Sequence, residues 1–195
     1  MMLDQPETGL RTKAAVVEAF RHDTIIAAAI RVIARKGAEG MRVQDVANEA
    51  GVSKGTIYLY FRGREALRAT AEKQTMETLL REVASIAEAG PTLQDILTDV
   101  VRRALERLDA RDDVILAALE LARVPRFGFA SWRARAATLL PVHDPAASVP
   151  LILDCVRGLL ERRLRQVPAD DRDEVASSTV SMLLYGIAKK KDEPR

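Results

Sequence analysis

Residues 43–61, VQDVANEAGVSKGTIYLYF, decide the fold. Val46, Ala47 and Ala50 give a first short helix an apolar face at helical spacing. Gly51 stands where that helix must end and the chain reverse, a place that asks for a positive φ, which glycine enters without a Cβ clash. Val52 fills the corner, and the Ser53 hydroxyl can accept from the free N–H groups of a second helix. Lys54, Gly55, Thr56 and Tyr58 occupy the first turn and a half of that helix, while Ile57, Leu59 and Phe61 are expected to fix it to its own domain. Two short helices at a tight turn make a helix-turn-helix, whose second helix enters a major groove of DNA.

The residue types suit that task. Gly55 lets the backbone approach the groove floor, Lys54 supplies a cation, and Thr56 carries a hydroxyl and a methyl for phosphate or thymine. Tyr58 follows Lys54 by four residues, so both project from nearly one face, with the phenol placed for phosphate. Tyr60 reads equally as a contact residue or a half-buried aromatic. Arg64 falls in the first turn of a longer helix, where a cation opposes the macrodipole, which points to an outside anion such as DNA phosphate.

Upstream lies IIAAAIRVIARKGAEG (residues 25–40) and downstream RGREAL (residues 62–67). With these flanks the sequence resembles the tetracycline-repressor (TetR) family of bacterial regulators over about Arg21 to Leu67. The resemblance implies an all-α chain of about nine helices. A three-helix DNA-binding domain over 21–66 would be followed by a ligand-binding and dimerisation body over 67–195. Residues 1–20 read as a flexible arm, because Pro6 and Gly9 discourage early order, although Thr12 to Phe20 could be weakly helical. The resemblance also implies that Lys54, Thr56, Tyr58 and Arg64 match DNA-contacting positions. The chain departs from the family pattern at Arg42, where a Ser or Thr cap usually stands; losing that oxygen costs ~1 kcal/mol, and the arginine offers a phosphate contact instead. Ala38 and Ile33 replace common aromatics, implying a leaner small-domain core.

Composition sets bounds. Apolar residues make up 48% of 195, enough for a real core, and aromatics only 4%, so aliphatics do the packing. Net charge is only +2, which argues against a polybasic nucleic-acid coat. Between Arg21 and Arg64, however, eight Lys/Arg face four Asp/Glu, so a basic module adjoins a mildly acidic remainder. The single cysteine, Cys155, excludes an internal disulfide and a CxxC site and suits a reducing cytoplasm. No apolar run approaches the ~18 residues of a membrane span.

Beyond Phe20, Asp23 or Thr24 is expected to open the first helix and Gly37 to close it. Arg64 to about Glu88 reads as one long helix shared between the two domains and stopped by Gly90-Pro91. Helices over 92–107 and 112–123 follow; the less regular section from Pro125 holds Phe127, Phe129 and Trp132, then a helix to about Leu140, then PVHDPAASVP (141–150) as a loop. A final hairpin is expected from 151–164 and 175–187. Its stripes, Ile152, Cys155, Val156 and Leu159 on one helix and Val175, Thr179, Met182 and Leu183 on the other, are the expected dimer surface. The family's four-helix seam implies that placement. Gly158 and Gly186 inside these helices imply close helix approach. Met76, Leu80, Phe127, Phe129 and Trp132 are candidate ligand contacts, since small-molecule sites favour apolar and aromatic walls; core filling explains the aromatics equally well.

No catalytic constellation is visible. His22 and His143 lack acidic partners at ligand spacing, and there is no phosphate loop or nucleophile elbow, so no metal or cofactor is expected. The resemblance then implies a cytoplasmic, homodimeric repressor, freed from a palindromic operator by an unidentified small molecule. The alternative is the same DNA reader without a small-molecule effector, controlled by a protein partner or by abundance.

Overall fold

The computed structural model describes residues 13–124, 129–165 and 171–185, without the side chains of 13–14 and 129–132. These residues form nine helices: α1 (Lys13–Lys36), α2 (Val43–Ala50), α3 (Lys54–Tyr60), α4 (Arg64–Ala89), α5 (Leu93–Asp109), α6 (Asp113–Leu121), α7 (Phe129–Ala137), α8 (Pro145–Arg165) and α9 (Arg172–Tyr185). No strand occurs among them.

Two cores stack along α4. The head core joins Ile25, Ala28, Ala29, Ile30 and Ile33 of α1 to Val46 and Ala47 of α2, Ile57 of α3, Phe61, and Leu67 and Ala71 of α4. Ala28 and Ala29 are fully buried, and their small side chains let neighbouring helices approach α1 closely. Ala117 and Leu121 of α6 also enter this head core, so the head is not closed off at α4. The body core is built from Leu80 of α4, the apolar face of α5 (Ile96, Leu97, Val101, Leu105, Leu108), Ile115 and Leu119 of α6, and residues of α7, α8 and α9.

The ends follow local chemistry. Gly51 closes α2 at φ 67° and ψ 31°, the left-handed turn that glycine favours. Thr92 caps α5 by accepting from Asp95 N–H, and Asp112 caps α6 by accepting from Val114 and Ile115 N–H. Arg42 caps α2 without a side-chain bond.

Three expectations are corrected. The first helix starts at Lys13 rather than near Asp23, so residues 13–20 of the expected arm are helical; the rest of that arm lies outside the described residues. Val16, Val17 and Phe20 stay exposed, which left no buried stripe to read. Helix α8 starts at Pro145 rather than Leu151. Asp144 accepts from Ala147 N–H at 3.2 Å, and Pro145 takes the first helical position, where its missing N–H costs nothing. Lastly, α8 and α9 are not principally a mutual hairpin: α9 packs mainly on α5, and α8 on α7 and α5.

Candidate functional site

In the head, salt bridges hold α2 against α1. Glu49 receives Arg31 Nε at 2.6 Å and also pairs with Arg35, and Lys36 Nζ lies 2.8 Å from Asp45. The Arg35 hydrogen bond, then that of Arg31, holds the Glu49 carboxyl below its ordinary range; Lys36 does the same to Asp45.

This scaffold presents α3. Ser53 accepts from Thr56 N–H at 3.0 Å and its hydroxyl lies 2.9 Å from that of Thr56. Ile57 is fully buried, whereas Tyr58 is 51% exposed with the Lys54 ammonium 5.9 Å from its ring centroid. A side chain added at Gly55 would meet nothing closer than Ser53 Oγ at 3.6 Å, so the start of α3 is sterically open. Arg42, Lys54 and Gly55 are exposed and Tyr60 is half-buried, its ring centroid 6.4 Å from that of His22. Gln44 donates to Asn48 at 3.0 Å, and both are exposed on α2.

Two residues depart from their expected roles. Leu59 is 83% exposed rather than anchoring α3. Arg64 turns back to the α1–α2 connection, donating to Glu39 O at 2.7 Å and Ala38 O at 3.3 Å, with the Glu39 carboxylate at 3.5 Å. It thus ties the start of α4 to that turn.

The body encloses a cavity of about 260 Å³ between α4, α5, α6, α7 and α8. Its wall is mainly aliphatic, including Met76, Leu79, Val83, Leu97, Ile115, Leu119 and Leu160. Arg103, Arg107, Arg133 and Arg157 join it, against Glu82 and Asp154. Met76 belongs at once to this wall and to the head core.

A sequence profile described as bacterial regulatory proteins, tetR family, matches residues 25–71. This likeness to the tetR family spans α2, α3 and parts of α1 and α4. It is 30% identical over 99 residues to the uncharacterized HTH-type transcriptional regulator YerO of Bacillus subtilis, covering 49% of this chain and 34% of that protein. It is 33% identical over 79 residues to the fatty acid metabolism regulator protein of the same organism, covering 40% and 41%. The chain thus matches well under half the length of these relatives. The fold is similar to that of the transcriptional regulator FadR from Bacillus subtilis, solved with stearoyl-CoA, at a TM-score of 0.66 and 21% identity, covering 86% of this chain and 100% of that one.

The remaining candidate residues separate. Met76 lines the cavity, while Leu80 is packed in the body core and is not on its wall. Phe127, Gly186 and the side chains of Phe129 and Trp132 lie outside the described residues. Ile152 and Val156, expected at a dimer surface, line the cavity. Cys155, Leu159, Val175, Thr179 and Leu183 are partly exposed and Met182 is 48% exposed. No neighbouring atom lies within 4 Å of a side chain added at Gly158, so the close approach expected there does not occur among the described residues. The arginines of the cavity went unread because they are spread over three helices with no common sequence period.

Proposed function

We propose that the chain is a homodimeric transcriptional repressor whose hold on a palindromic operator is released by a small molecule bound in the body cavity. Recognition helices of the two copies would sit ~34–36 Å apart, in successive major grooves. Lys54, Tyr58 and Arg42 would position the backbone, and Gly55, Thr56 and the exposed Leu59 would approach bases, Leu59 as an apolar contact for a thymine methyl. Arg64 would act on DNA by fixing the head and through any part of its guanidinium that reaches phosphate. The second copy would cover α8 and α9, where Leu151, Met182 and Tyr185 are exposed.

The observation that carries the ligand-responsive part is the shared wall. Met76 belongs to both head core and cavity, and on α6 Ala118 lines the cavity beside Ala117 in the head core. An occupant that displaces α4 or α6 therefore moves packed head residues. That FadR from Bacillus subtilis, similar in fold, was solved in complex with stearoyl-CoA supports a small-molecule ligand for this chain. Titrating the protein into DNA from upstream of its own gene, against scrambled DNA, tests the reading; a specific preference of ~10³-fold or more is expected. Equal binding to both sequences across further candidate operators would count against it.

A further inference from the structure

We infer that Arg133 is the anion-reading residue of the cavity, and that the cavity takes an amphiphile with an apolar chain and one carboxylate or phosphate group. This rests on the ligand-responsive reading above and names the chemistry of that same site.

Four arginines reach the cavity wall, and three are already paired. Arg103 lies 3.5 Å from Glu82 and 3.3 Å from Glu106. Arg107 lies 2.8 Å from Glu82 and 2.9 Å from Asp112. Arg157 lies 3.4 Å from Asp154. Arg133 has no ion-pair partner among the described residues, and its Nε is buried without any hydrogen-bond acceptor. A buried donor left unmade is costly, and native proteins keep few of them. Ala136, at i+3 from Arg133 on α7, and Leu140, beyond the end of that helix, also line the cavity. The Arg133 Nε is therefore an unmet donor on a residue that lines a mainly aliphatic cavity. An anion offers the geometry it lacks, since the guanidinium fork matches carboxylate and phosphate oxygens. The aliphatic wall takes the chain.

The test uses the full chain with lauric acid, dodecyl phosphate and dodecanol, which share the chain and differ in the head. The wild type is expected to bind at least one charged probe tenfold or more tightly than dodecanol in calorimetry. Arg133→Met should abolish that preference while leaving dodecanol binding unchanged, and Arg133→Lys should restore part of it. Without ligand, the melting temperature of Arg133→Met should be no lower than wild type, because an unmet buried donor is removed. Preference for laurate identifies a carboxylate site, and preference for dodecyl phosphate alone a phosphate site. Equal binding of all three probes, no binding of any, or a charged-probe preference that survives Arg133→Met overturns the proposal. Arg133-dependent binding that leaves operator affinity unchanged would instead sink the ligand-responsive reading while the anion site stands.

Discussion

Ile57 and Leu59 lie two residues apart on α3 and face opposite worlds, one fully buried and the other 83% exposed. Ile57→Ala should cost about 2–5 kcal/mol of stability in denaturant unfolding. Leu59→Ala should stay within about 0.5 kcal/mol of wild type yet weaken operator binding about tenfold, the worth of partial apolar burial. Unchanged operator affinity would remove Leu59 from the interface. The sequence made Ser53, Gly51 and Ile57 legible because caps, turns and single buried positions have local causes. It misplaced Leu59 because a seven-residue helix is too short to define a face. Glu49 supplies a pH test. Arg35 and then Arg31 hold its folded-state carboxyl below the ordinary range. The bonds therefore stabilise the fold above the unfolded value of about 4.3, and that contribution fades as pH falls through the lower folded value. Glu49→Gln should flatten the fall in melting temperature below about pH 4.3; an unaltered acid limb would mean the α1–α2 pairs contribute nothing.

Long amphipathic helices were the most readable elements. α4 was expected from Arg64 to about Glu88 and runs to Ala89, because a firm apolar stripe ends at Gly90-Pro91. The starts of α1 and α8 were missed for opposite reasons: the first turns of α1 bury nothing, and Pro145 marks a helix start as readily as a loop. The role of α6 was not legible at all, since nothing in its sequence says which of two cores each face serves. Ala117 is fully buried in the head core from the body side. Ala117→Leu should therefore overpack that junction, costing about 1–3 kcal/mol, and lower operator affinity without any contact to DNA. A stable variant with normal operator binding would show that the α6 junction carries no coupling.

At the scale of the molecule, coupling between cavity and head has a thermodynamic signature that no single residue can supply. An effector shifts DNA binding only as far as its affinities for the DNA-competent and DNA-incompetent states differ. If it lowers operator affinity by some factor, operator must lower effector affinity by the same factor. The two factors are separately measurable: operator titrations with and without saturating effector, and effector titrations with and without saturating operator. With one cavity per chain, two effectors act on one operator-bound dimer, so the operator factor is expected to equal the square of the per-cavity effector factor while the dimer stays intact. The dimer condition is checked by sedimentation. Leu159→Asp on α8 should give monomers, and its melting temperature should lose any dependence on protein concentration. Should the operator factor depart from that square while the dimer persists, an effector site beyond the two cavities must exist, and the shared wall at Met76 would not be the whole route between ligand and DNA.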